Sequence, residues 1–297
     1  MTSLAPSAGH TIRVLSLVGT AHFMSHLYFR ALPPLFVLLV IDLNTSYTAL
    51  GLIMTVYHIA TATVTTPMGF VVDRLGARRV LVIGLFIQAI AMIAAGFFNS
   101  YWSLMILFAV SGLAFAVYHP SNYAIMSGSI HPSHMGRAFS VHALSGNLGN
   151  AFTPVFVLAV AEVWNWQAAF FLIGGVGLMV AMLVISQGDY LRGENEAAKS
   201  DTKDASEPGD GPGPKKTIRQ DLAVLFTGPV LLCFLFYVAS NLSIGGIQVY
   251  GVAALVELYD VQNTTAGGAL TGFMIGAAGG ILTGGFLADK FGAGVLI

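Results

Sequence analysis

The sequence predicts an all-α membrane protein in which a complete six-helix bundle is followed by the first two helices of a second. Three observations point there. Eight apolar runs are each long enough to cross a bilayer, which takes about 20 mostly apolar residues in a helix. The stretch Gly69-Phe70-Val71-Val72-Asp73-Arg74-Leu75-Gly76-Ala77-Arg78-Arg79 after the second run returns after the eighth as Gly285-Phe286-Leu287-Ala288-Asp289-Lys290-Phe291-Gly292-Ala293. The basic residues also fall on one side of the eight runs. Composition agrees: charged residues make up only 9% of the chain, against about 25% in a soluble domain, and mean hydropathy is +0.77. A soluble fold of this length is excluded.

The first run, 14–41, follows an N-terminus with no basic region and no small-residue cleavage site, so it reads as a retained helix. Pro33-Pro34 predicts a kink in it. The second run, 48–69, ends at the motif, and the third, fourth and fifth are 80–98, 102–128 and 138–163. Gly146 and Gly149 in the fifth allow close packing, Asn147 and Asn150 give it a polar seam, and Thr153-Pro154 predicts another kink. The sixth run is 168–185. Residues 188–221 form the only long polar region, with mixed charge around Glu207-Pro208-Gly209-Asp210-Gly211-Pro212, and read as a flexible linker. Residues 1–187 are therefore one bundle and 222–297 the beginning of another, with spans at 223–248 and 265–287 and the start of a ninth. Tyr101, Trp102, Trp164 and Trp166 lie at run boundaries, where aromatic belts form.

Of the 13 Lys and Arg residues, all but Arg30 belong to one set of connections: Arg13; Arg74, Arg78 and Arg79; Arg137; the linker; and Lys290. The opposite connections carry Asp42, Asn99, Glu162, Glu257 and Asp260. The positive-inside rule then places the N-terminus, the motif and the linker in the cytoplasm; the membrane expected is a bacterial inner membrane. One missed span would reverse the sides downstream, so the asymmetry supports the count of eight. The single cysteine, Cys233, leaves no disulfide or thiolate metal cluster to build. A net charge of -1 gives no reason to expect nucleic acid as a partner. The partners expected are lipid and a small solute.

The Gly-x-x-x-Asp-[Arg/Lys]-x-Gly-x-[Arg/Lys]-[Arg/Lys] pattern between spans two and three, its copy after span eight and the long linker between them resemble the major facilitator superfamily. The resemblance implies twelve helices, four of them after Ile297, in a protein monomeric when whole. Tyr118-His119-Pro120-Ser121 in span four and Gly146-Asn147-Leu148-Gly149 with Thr153-Pro154 in span five resemble its fosmidomycin-resistance branch. That branch has a His and then Asn-Asp in span one, and Glu after the His-Pro of span four. Here His22 matches, Ser25-His26 replaces Asn-Asp and Ser121 replaces Glu. The span-four Arg of proton-coupled drug exporters is absent, Phe108 falling four before Gly112.

The resemblance makes Gly69, Asp73, Arg74, Gly76 and Arg78, with Gly285, Asp289, Lys290 and Gly292, a gate motif. Asp73 would meet the positive N-terminal end of a helix in the other bundle, and Asp289 the start of span five near Gly136 and Arg137. A solvated turn bearing positive-inside charge accounts for Arg78 and Arg79 equally well.

His22, His26 and Arg30 are four apart and form one polar stripe, drifting about 40° per step. An unpaired Arg at mid-depth costs at least about 2.5–3.5 kcal/mol, so it faces a cavity or a partner. No Asp or Glu lies within the middle of any span. Three arrangements answer this: a bound anion, snorkelling to the outer surface, or a carboxylate on further helices. The anion is the most economical, which makes Arg30, His22, His26, His119, Asn241 and Gln248 the substrate-binding candidates. Histidine carries protons near neutral pH, so His26, His119 and His142 are the candidate coupling groups, with hydrogen-bonded packing as the plainer role of any one. His22 and His26 have the spacing of a metal pair but lack a third ligand, so no metal is assigned, and no cofactor is expected.

The function implied is secondary transport of a small organic anion by alternating access. Proton-coupled drug efflux is the alternative within transport, and a non-transporting scaffold or truncated product the alternative outside it. No nucleotide loop or paired catalytic carboxylate suggests an enzyme.

Overall fold

The computed structural model describes residues 8–191 and 227–291. Its α-helices are α1 (Ala8–Arg30), α2 (Phe36–Asp42), α3 (Tyr47–Leu75), α4 (Ala77–Phe97), α5 (Tyr101–Phe115), α6 (Tyr118–Ser129), α7 (Met135–Val163), α8 (Trp166–Ser186), α9 (Gly228–Tyr259) and α10 (Asn263–Phe291). They build the eight expected spans, because α1 with α2 and α5 with α6 each form one interrupted span. Seven spans are long and apolar enough to cross a membrane, and the 29-residue α10 coincides with the eighth expected run. The linker expected over 188–221 lies outside the described residues from 192 onward. Its first residues form a short 3-10 turn, Gly188–Tyr190, followed by a buried Leu191.

The kink expected at Pro33-Pro34 is a break: a 3-10 turn, Pro33–Leu35, stands between α1 and α2. Neither proline has an N–H to give, so the ladder cannot run through. A second break, at Ala116 and Val117, divides α5 from α6. Pro120 explains it, because proline is tolerated in a first helical turn and not in an interior. Pro154, by contrast, sits inside the continuous α7. The seventh span runs eleven residues past its expected end at Gln248, to Tyr259, where Asp260 closes it with φ 52°. That extension brings Tyr250 onto Phe36 and Glu257 to Tyr47 of the first unit, with Val252 and Ala253 buried between them in sequence, so tertiary packing carries the helix past a polar residue.

The motif proves to be less of a loop than its composition suggests. Phe70 to Leu75 continue α3, Ala77 to Arg79 begin α4, and Gly76 alone joins them at φ 90°. That backbone conformation favours glycine, which reverses the chain in one residue.

Within the first unit α4 packs on α8, α1 on α7 and α3 on α5. Tyr28, Tyr57, Tyr118, Phe36, Phe108 and Phe170 are its largest fully buried side chains. Two of the boundary aromatics do structural work. Trp166 is buried and donates from Nε1 to Asp42 Oδ2 at 2.7 Å, fastening α8 to the end of α2. Tyr101 donates to the Ala49 carbonyl at 3.2 Å. Trp102 and Trp164 are 69% and 66% exposed, as a belt requires.

The second unit meets the first in the half of the bundle away from the motif. Tyr47 donates to Glu257 at 2.7 Å, Tyr250 packs on Phe36 with ring centroids 5.9 Å apart, and Thr271 donates to the Ala151 carbonyl at 2.7 Å. That last bond falls where Pro154 already weakens the backbone ladder of α7.

Adjacent glycines of α8 give a direct test of the α4–α8 contact. A Cβ on Gly174 would lie 2.7 Å from the Ala89 carbonyl oxygen, whereas one on Gly175 meets nothing within 4 Å. Gly174→Ala should lower stability by about 1–3 kcal/mol, while Gly175→Ala should leave it unchanged or raise it by about 0.5–1 kcal/mol. Thermal unfolding in detergent reads both, and equal effects would remove the packing argument.

Candidate functional site between the two units

The polar stripe of α1 reaches its partners because α7 presents glycine to it. A Cβ on Gly146 would sit 2.6 Å from His22 Cε1 and 2.8 Å from His26 Nε2, so only glycine lets α7 approach this face. Through that gap His22 bonds the backbone of α7, its Nδ1 lying 2.8 Å from the His142 carbonyl oxygen. A carbonyl only accepts, so the Nδ1 carries a proton, and in the neutral ring the Nε2 is bare.

Arg30 settles the next protonation. Its Nε donates to Asn150 Oδ1 at 3.3 Å, and the same oxygen lies 3.0 Å from His26 Nδ1. Guanidinium has no acceptor, so the shared atom is the amide oxygen and His26 Nδ1–H donates to it. The Nε2 atoms of His22 and His26 then face each other at 3.1 Å. His142 stacks on His22 with centroids 3.7 Å apart, and its Nε2 meets Asn122 Nδ2 at 3.2 Å. His119 lies edge-on to His22 at 5.2 Å, with its Nδ1 buried and without a hydrogen-bond partner.

The other face of Arg30 crosses to the second unit. Its Nη2 donates to Gln248 Oε1 on α9, and its guanidinium carbon lies 4.3 Å from the centroid of the Phe29 ring. Arg30 is 7% exposed, and among the described residues no carboxylate reaches it. One connected polar network therefore runs from His142 through His22, His26, Asn150 and Arg30 to Gln248.

Six of the expected site residues, His22, His26, Arg30, His119, His142 and Gln248, thus come together. Asn241 does not: it is exposed and donates to the Tyr237 carbonyl of its own helix at 2.7 Å. His58 is exposed on α3, against Phe29 with centroids 5.3 Å apart. Asn122 and Ser145 belong to the network and were not singled out from sequence; Ser145 donates to the His142 carbonyl at 2.7 Å. Each stands three residues after a clustered histidine, one helical turn away, and that spacing was the signal available. Ser25, in place of the branch's Asn, donates to the His22 carbonyl at 2.7 Å, and Ser121 Oγ is buried without a partner.

At the motif end, Asp73 and Arg74 are exposed on the last turn of α3, and Gly69 has open space at its Cβ position. Arg78 is committed within its own unit, donating to the Ile185 carbonyl of the last turn of α8 at 2.9 Å. Cation at a helix C-terminus is the favourable sign. Gly285, Asp289 and Lys290 lie on the backbone of α10, with side chains beyond what is described, and Gly292 lies outside the described residues.

A family model described as Major Facilitator Superfamily matches residues 18–297. The chain belongs to the major facilitator superfamily. Its helices place it in the membrane as an integral protein of that fold. It is 26% identical over 237 residues to an uncharacterized MFS-type transporter of Mycobacterium tuberculosis, covering 77% of this chain and 53% of the relative. It is 26% identical over 160 residues to the D-galactonate transporter of Escherichia coli O6:H1, covering 52% of this chain and 37% of that one. A solved bacterial homologue of the human lysosomal transporter Spinster, inward-facing and occupied, superposes with a TM-score of 0.76 at 16% identity, over 97% of this chain and 63% of that one. The chain spans about half the length of the M. tuberculosis relative.

Asn150 serves two donors at once, which makes it the site's most exposed dependency. Asn150→Leu should cost about 1–3 kcal/mol, the penalty for leaving buried donors unmatched, and Asn150→Asp, which keeps the acceptor oxygen and adds charge beside Arg30, should recover it. Denaturation midpoints of the two variants check this, and a tolerated leucine would show that Arg30 has other support.

Proposed function

We propose that the chain belongs to a secondary transporter that moves a small organic anion by alternating access, with Arg30 as the anchor of the anion's negative group. The observation that carries this is the placement of Arg30: buried, charged, at the junction of the two units, and held by two neutral amides. A guanidinium so placed keeps its full charge available, and its planar fork suits a carboxylate, sulfonate or phosphonate. Asn150 and Gln248 hold it in position from opposite units, so an anion there contacts both halves of the mechanism. The relative named as a D-galactonate transporter supports an organic acid as the solute class.

The remaining parts follow the same reading. His26, His119 and His142 are the groups through which a proton would be coupled. The division into a bundle at 1–187, a linker at 188–221 and a second bundle from 222 gives the two rocking bodies. With the basic connections cytoplasmic, the contacts of Tyr47, Tyr250 and Thr271 describe a form closed toward the outside. Asp73 and Asp289 are proposed to latch the cytoplasmic side in the opposite form, with Gly69, Gly76, Gly285 and Gly292 admitting the close approach and Arg74 and Lys290 supplying the adjoining positive charge. The segments around His119-Pro120 and Gly146-Asn147 that resemble the fosmidomycin-resistance branch support proton-driven export as the second reading.

Vesicles carrying the full-length protein, tested with labelled carboxylates and phosphonates with and without a pH gradient, separate these readings. Arg30→Ala should weaken anion uptake by at least about 30-fold, the equivalent of the 2 kcal/mol or more that removing one partner of a buried charge pair costs. Gradient-driven efflux of a drug-like compound that ignores the substitution would overturn the anion reading in favour of export. Anion binding without flux would overturn the transport reading in favour of a non-transporting role.

A further inference from the structure

We infer that His22, His26 and His119 form a binding site for a divalent transition-metal ion of borderline softness, such as Zn²⁺, Co²⁺ or Ni²⁺. Two independent bonds lock the first two ligands. His22 Nδ1–H is spent on the His142 carbonyl at 2.8 Å and His26 Nδ1–H on Asn150 Oδ1 at 3.0 Å. Both Nε2 lone pairs consequently converge, 3.1 Å apart. In the neutral cluster that is a repulsive contact, and only a cation between the two nitrogens reverses its sign. A shared proton would satisfy two nitrogens. A third is present, because one ring nitrogen of each of His22, His26 and His119 lies within 4.8 Å of the other two. His119 also carries a buried Nδ1 with no partner.

The dimensions suit a metal. Zn–N bonds of about 2.0–2.1 Å in a tetrahedron set the nitrogens about 3.3 Å apart, close to the His22–His26 separation of 3.1 Å, and the triangle that His119 completes has no side above 4.8 Å. Neutral imidazole selects borderline first-row ions over Ca²⁺ or Mg²⁺, which require oxygen. The bonds on the two Nδ1 atoms are the outer-sphere partners that a metal-bound histidine uses. Arg30, beyond Asn150, adds positive charge, so the open fourth position would hold an anion, either hydroxide or a carboxylate. The site does not depend on the anion reading, since a metal can bind here whether or not the anion at Arg30 is the solute, but two of its ligands, His26 and His119, are histidines proposed above to couple protons.

Titration of the purified full chain with Co²⁺ alone tests it. A single site should develop the visible absorption of tetrahedral cobalt. His22→Ala and His119→Ala should each weaken binding by more than 100-fold, and Asn150→Leu, an outer-sphere loss, by about 10–100-fold. His58→Ala and His131→Ala should leave it unchanged. X-ray absorption of the Zn²⁺-loaded wild-type chain should count three imidazole nitrogens near 2.0 Å, a readout that needs no variant to fold. Absence of the cobalt band, an octahedral spectrum, or affinity indifferent to His22 and His119 would overturn the site.

Discussion

The centre of this structure depends on one constraint: a guanidinium cannot enter an apolar span unanswered. Arg30 can only donate, and that one-sidedness propagates. It turns the Asn150 amide so that oxygen faces inward, the oxygen draws the proton of His26 onto Nδ1, and the bare Nε2 is left pointing at His22. The same side chain reaches Gln248 on α9 and so ties the position of the second unit to the polarity of the first. Hydrogen-bond complementarity joins close packing in setting how these helices register, as expected where lipid supplies no hydrophobic force between them.

The breaks in the helices belong to the same picture. Backbone carbonyls left free by a break are tolerated at membrane depth only where protein surrounds them. Residues Ala31 to Leu35 are all buried, as are Ala116 and Val117. One break begins directly after Arg30, whose positive charge sits at the C-terminal end of α1, where freed carbonyls present their negative ends. The other falls just before Tyr118-His119. Interruption and polar cluster therefore occur at the same place, and each makes the other less costly.

The spans were legible because apolar run length answers to bilayer thickness and to little else. The stripe of His22, His26 and Arg30 was legible because four-residue spacing returns to the same helix face. His119 and His142 entered as candidates on residue type alone, and nothing in their spacing says that two other helices bring them to His22. Gly146 carried the relevant hint, since a glycine opposite a polar stripe permits such an approach, but a sequence does not say which glycine faces which helix. Asn241 shows the converse: it shares a face with Gln248, yet bonds the Tyr237 carbonyl of its own helix. Trp166 was read as a belt residue because boundary position and residue type match, whereas its bond to Asp42 depends on a neighbour far away in the chain. The end of α9 was misplaced because burial against the first unit, invisible locally, outweighs a polar residue.

Gly76 leaves α3 and α4 without slack. A connection of several residues would let two neighbouring helices slide or tilt separately, but a single residue at positive φ transmits any displacement of one into the other. Arg78, two residues on, is bolted to the end of α8, so a push applied to the tail of α3 is delivered across the bundle as through a stiff elbow. The motif between α3 and α4 is thus, mechanically, a coupling piece, intolerant of inserted length where an ordinary loop would absorb it.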